Sequence, residues 1–178
     1  MGGKERLEKV REEMGLLEKI LIYVPGYRGY KERELRRESD RLVRMEAVNR
    51  LRAAKDIVRR SLTNPIIAQR ISGEDAWRFD TLMSHLDRVT QRIDRAVAGY
   101  AGMFDAVRVR EDKLDMVIQH DLNLIEKAEA IRASTESLAR LEPGRDEWRR
   151  AIDDLISRVG ELDMLVDRRV EILRGLTS

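Results

Sequence analysis

The sequence predicts an all-α protein, an elongated bundle of about five long helices with coiled-coil-like packing. Three observations carry this. Apolar residues recur at alternating steps of three and four over most of the chain, the spacing that keeps one helix face against a neighbour. Charged residues make up 38% and aromatic residues only 4%, a composition suited to long, wetted, amphipathic helices. No stretch alternates apolar and polar residues as a half-buried strand does. At 178 residues the chain is long enough for one sizeable domain and short for two, so a single helical-bundle domain over 1–178 is expected.

The first helix is expected over about 4–23, where Leu7, Val10, Met14, Leu17, Leu21 and Val24 form a heptad seam. Pro25 and Gly26 stop it. The second is expected over about 31–62 through Leu35, Leu42, Val48, Leu51, Ala54, Val58 and Leu62. Its seam is thin near residue 40, where Glu32–Arg36 and Asp40–Arg44 have the i,i+4 spacing of exposed ion pairs. Asn64 and Pro65 are suited to end it and begin a short further turn.

Ser72 followed by Asp75 approximates a capping box and opens a third helix over about 73–98, with Phe79, Met83, Leu86, Thr90, Ile93 and Val97 in register. A fourth is expected over about 111–141 through Leu114, Val117, Ile118, Leu122, Ile125, Ala128, Ile131 and Leu138. After the turn "EPGRDE" a fifth is expected over about 145–175, through Trp148, Ile152, Leu155, Val159, Leu162, Val166, Arg169 and Leu173. Helices of this length joined by short turns imply mostly antiparallel packing. Five thin helices also leave apolar stripe to spare, so self-association is expected.

The formal charge of +2 conceals a division. Residues 28–60 hold twelve Lys/Arg against six Asp/Glu, a surplus of +6, and residues 111–178 hold eleven against sixteen, a surplus of −5. Pairing within one molecule or between subunits is the expected use of this split. The chain has no cysteine, which excludes disulfides, thiol catalysis and cysteine-ligated metals. "MGGKERLEKV" turns charged at once, the longest apolar run is far too short to span a bilayer, and a cytoplasmic location is expected.

"VPGYRGY" at 24–30 is echoed by "VAGYAGM" at 97–103, each after a heptad-spaced segment and before a charged one. Duplication of a helix–corner–helix unit or chance would both produce the echo. The stretches "PGYRGYKERELRRESDRLVR" and "GYAGMFDAVRVREDKLDMVIQHD" resemble a family of small uncharacterised helical prokaryotic proteins, with Met103 standing where that pattern has an aromatic residue. The resemblance implies a helical fold and supplies no activity.

Two accounts of the first corner follow from its chemistry. Glycine permits the tight turn, and tyrosine rings would plug the bundle's end. Alternatively, Tyr27 and Tyr30 with Arg33, Arg36, Arg37 and Arg41 form a surface for nucleic acid or an acidic partner. Tyr100 and Asp105 hold the corresponding places at the second corner. Asp121 falls on an apolar stripe and needs a counterion, for which Arg36, Arg37 or Arg41 is expected to reach it or Asp105. Arg169, in the seam of the fifth helix, needs a partner too or marks a subunit contact.

Catalytic signatures are missing. His85 and His120 stand in no HExxH or Glu-x-x-His pattern, and there is no phosphate loop, dinucleotide fingerprint or nucleophile elbow. The expectation is therefore no enzyme, no cofactor and no metal. The function expected is a helical interaction or scaffolding protein that binds a protein partner or itself. The alternatives are nucleic-acid binding through segment 27–44 and peripheral membrane association through the amphipathic first helix.

Overall fold

In a computed structural model, which describes residues 2–30, 32–96 and 111–175, the chain is all-α. Among these residues the helices are α1 (Gly2–Tyr23), α2 (Arg33–Ser61), α3 (Pro65–Arg70), α4 (Gly73–Arg95), α5 (Glu111–Leu138) and α6 (Asp146–Gly175). Five are long, as expected, and α3 is the short turn foreshadowed by Asn64 and Pro65. Asn64 caps it by accepting from the Ile66 amide at 3.0 Å, with Pro65 in the first turn. The Ser72 hydroxyl likewise accepts from the Asp75 amide at 3.1 Å and opens α4. Gly144, at φ +84°, supplies the left-handed residue in the turn before α6. The echo at 97–103, with Tyr100 and Asp105, lies outside the described residues.

Four helices close a ring in the order α2, α4, α6, α5 and back to α2. Ion pairs across the seams give the direction of each neighbour. Arg78–Asp153, Arg88–Asp163 and Arg92–Asp167 all span 75 residues, a constant offset that makes α4 and α6 parallel. From Asp40 and Asp121, which share Arg169, to Arg50 and Glu129 the numbers rise together, so α2 and α5 are parallel as well. Arg52–Asp94 and Lys55–Asp87 run in opposite senses, as do Asp121–Arg169 and Lys127–Glu161. The expectation of mostly antiparallel packing is thus corrected: two neighbour pairs are antiparallel and two are parallel. The helices α4 and α5, consecutive among the described ones, sit diagonally across the ring, and that arrangement leaves the remaining neighbours parallel.

Pairing of the basic stretch with the acidic tail resolves the charge division only in part. Of the basic stretch 28–60, Arg50 meets Glu129 of the acidic tail at 3.0 Å, while Arg52 and Lys55 turn to α4. The tail's Asp153, Asp163 and Asp167 are taken by α4 arginines.

Residues from all four helices fill the ring, among them Leu51, Val58, Leu82, Val89, Ile125, Ile131, Ile152 and Leu162. The helix α5 touches α1, α2 and α6, which explains its broad apolar surface: Val117, Ile118, Leu122, Leu124 and Ile125 are all buried. The first helix packs outside the ring against α5, through Ile20 and Val24 with Leu16 and Leu17 beside them. Its expected seam is only partly used. Leu7, Val10, Met14 and Leu21 are exposed, because the chain buries a second face turned roughly 110° around the same helix.

Truncating a side chain on the buried face of α5 should therefore cost far more than truncating one on the exposed side of α1. Ile125→Ala is expected to destabilise by about 2–5 kcal/mol and Ile22→Ala by no more than about 0.5 kcal/mol in guanidinium unfolding.

Candidate functional site

The segment between α1 and α2 folds back along the bundle. Tyr23 ends α1, and its carbonyl accepts from Arg50 Nη2 at 3.1 Å while the Arg50 guanidinium lies over its ring at 5.9 Å. Gly26 (φ +85°) and Gly29 (φ +76°) then reverse the chain. A Cβ on Gly29 would stand 3.2 Å from Leu17 Cδ2, so both the turn and the close packing need glycine there. Two α2 side chains hold the segment by its carbonyls: Ser39 Oγ donates to Gly29 O and Arg36 Nε to Tyr30 O, each at 2.8 Å.

This route delivers Tyr27 and Tyr30 to the interior, edge to face with ring centroids 6.2 Å apart. Both hydroxyls donate to Asp121 Oδ2, at 2.9 and 2.6 Å. Arg169 Nη1 donates to the other oxygen of Asp121, and Arg169 Nη2 to Asp40 Oδ1 at 2.5 Å and to the Tyr30 hydroxyl at 3.2 Å. Arg44 Nε completes the second carboxylate, donating to Asp40 Oδ2 at 2.8 Å. Two carboxylates and two guanidiniums from α2, α5 and α6 thus balance in charge inside the ring, all nearly inaccessible to water. Such a cluster is tolerated only because each carboxylate oxygen has a donor.

His120 closes one side. Its Nε2 lies 2.7 Å from the Leu165 carbonyl, which makes Nε2 the protonated nitrogen and leaves the Nδ1 lone pair facing Arg169 Nη1 at 3.5 Å. Burial, with the Arg169 charge beside it, lowers the His120 pKa to about 4. Burial and then the Asp121 charge push both tyrosines well above their ordinary value, so they act as neutral donors. Burial also works against the Arg169 charge, yet the Asp121 and Asp40 carboxylates outweigh it and hold the guanidinium well above its ordinary value. Burial raises the Asp121 carboxyl, against the Arg169 charge and the Tyr30 hydroxyl. Arg169 Nε is the one guanidinium nitrogen of the cluster that is buried without a partner among the described residues.

Several expectations change here. Asp121 does need a counterion, but Arg169 supplies it rather than Arg36, Arg37 or Arg41. Arg36 is spent on the Tyr30 carbonyl, and Arg41 pairs on the surface with Glu38 at 2.8 Å. Arg37 is exposed, and the side chain of Arg33 lies outside the described residues. Asp40–Arg44, expected on an exposed face, is buried at 3% and 6% exposure. The thin apolar seam near residue 40 was the trace of this cluster: the charges there replace the core rather than face water. The tyrosines are buried, but against a charged cluster rather than in an apolar plug. Asp121 lies ten residues into α5, roughly 15 Å from its start, so the segment runs back alongside the helices.

Among the described residues no His, Asp and Glu side chains gather in a group that could hold a metal ion, and no helix is long and apolar enough to cross a membrane. No family model, curated protein or solved structure matches the chain. The cluster is a closed lock between helices, whereas α1 carries a stripe of exposed apolar side chains among the described residues.

Removing the shared guanidinium would take the donor from one oxygen of each carboxylate and leave the buried cluster one positive charge short. Arg169→Met is expected to destabilise by about 3–5 kcal/mol in urea unfolding, with much of the loss recovered when Asp40→Asn and Asp121→Asn are added. The His120 pKa lies below its unfolded value, so its contribution is full above about pH 6.5 and is lost as pH falls toward 4. A stability loss of about 3 kcal/mol over that window is expected, and His120→Gln should flatten it in the same titration.

Proposed function

We propose that the protein is a non-catalytic helical interaction module that works by self-association, with α1 as its docking element. The observation that supports this is the uncovered stripe on α1. Leu7, Val10, Met14 and Leu21 keep heptad spacing, yet Leu7 is 66% and Met14 56% exposed. Large apolar side chains aligned along one helix face, rather than scattered, favour a partner surface. Of the remaining exposed apolar residues, Ile22 lies on α1 off this seam, and Met45, Ile66, Trp77, Met116 and Met164 fall one to each of the other helices.

The alternatives draw less support from the same surfaces. Base recognition by segment 27–44 calls for rings that bases can stack on, and Tyr27 and Tyr30 are both buried. Adsorption to an anionic membrane calls for a cationic flank, and residues 4–19 carry five Lys/Arg against five Glu.

Sedimentation equilibrium tests the proposal. The intact chain is expected to associate in the micromolar range, and Val10→Glu/Met14→Glu to run as a folded monomer with unchanged helical circular dichroism. An intact chain that stays monomeric up to millimolar concentration would remove it.

A further inference from the structure

The uncovered stripe carries more than a tendency to associate, because the charges flanking it distinguish one pairing of helices from another. With Leu7, Met14 and Leu21 at heptad position a, and Val10, Leu17 and Val24 at d, the e positions are Arg11 and Glu18 and the preceding g positions are Arg6 and Glu13. In a parallel pair of α1 helices, g of one copy faces the following e of the other. Arg6 would then meet Arg11 and Glu13 would meet Glu18, like against like at every charged position. In an antiparallel pair e faces e. Arg11 of each copy then meets Glu18 of the other, and the two-fold axis makes that contact twice. Both Arg11 and Glu18 are exposed, and neither forms an ion pair among the described residues, so both are available.

We infer that two copies of this chain pair through α1 in an antiparallel coiled coil, in the register that sets Val10 against Leu21 and Met14 against Leu17. The inference rests on the proposal that α1 is the docking element, and adds the partner, its orientation and its register. The same register places Leu7 opposite Val24, but Val24 is fully buried in its own chain. The contact is therefore anchored by Val10, Met14 and Leu21, with the half-buried Leu17 at its centre. Since g position 20 is Ile20, packed into the chain's own core, the Arg11–Glu18 pairs form the charged flank of the interface.

The absence of cysteine makes orientation directly measurable in the full-length protein. Val10→Cys and Leu21→Cys variants, mixed under mild oxidation, are expected to give the mixed disulfide dimer, with little dimer from either variant alone. A homodimer of Val10→Cys would instead indicate parallel helices and overturn the inference while leaving α1 as the docking element.

Charge reversal gives an independent sign. Glu18→Arg places arginine against arginine twice in the antiparallel pair, and association should weaken on the order of tenfold. Arg11→Glu/Glu18→Arg should restore it. In a parallel pair Glu18→Arg would face Glu13 and strengthen association. Strengthening, or stripe-dependent association indifferent to Glu18→Arg, overturns the antiparallel register. If the intact chain is instead monomeric and floats with phosphatidylcholine–phosphatidylserine vesicles, both the inference and self-association fail together.

Discussion

The structure depends on one guanidinium. Arg169 reaches from α6 into the ring and donates to Asp121 of α5 and Asp40 of α2 together, so three of the four ring helices meet at a single charge. Its burial is unfavourable by itself, and the carboxylates cannot be buried without it. Tyr27, Tyr30, Arg44 and His120 gather around this point because every remaining lone pair and donor must be answered once water is excluded. An apolar core tolerates slippage between neighbouring helices better than a set of directed hydrogen bonds does. The cluster therefore fixes the register of the parallel α2–α5 pair and the antiparallel α5–α6 pair at one level.

The glycine–tyrosine segment follows from that constraint. A turn between α1 and α2 could have run over the end of the bundle. Instead Gly26 and Gly29 let the chain double back, so that two phenol groups reach one oxygen of Asp121 while Arg169 of α6 takes the other. Arginines in the same stretch divide by face: Arg36 and Arg44 are drawn inward to a carbonyl and a carboxylate, while Arg28, Arg37 and Arg41 stay at the surface. A segment that looks like a basic recognition surface in the sequence is thus in large part internal structure.

Placing α1 outside the ring has the opposite consequence. A helix packed mainly against one neighbour can bury about a third of its circumference, and α1 has apolar residues on more than that. The ring uses the face with Ile20 and Val24 and leaves the heptad face of Leu7, Val10 and Met14 uncovered. Closed and charge-balanced at the centre, apolar at one flank, the molecule separates the part that holds its shape from the part available for contact.

Helix positions were legible in the sequence because periodicity and caps are local: Pro25–Gly26, Asn64–Pro65, Ser72 and the 142–147 turn fall where the helices change. The need of Asp121 and Arg169 for partners was legible too, since each interrupts an apolar stripe and burial of a lone charge is prohibitive. That they answer each other was not, because residues 48 apart meet only once the handedness and order of the ring are set. The inward turn of Asp40 and Arg44 was hidden for the same reason, as i,i+4 spacing is identical on a wet face and a dry one. What the sequence determined by itself, then, was the set of helices and the list of groups that could not be left alone. Tertiary structure decided which helices run parallel, which charges meet and which apolar face stays open, because those depend on neighbours distant along the chain.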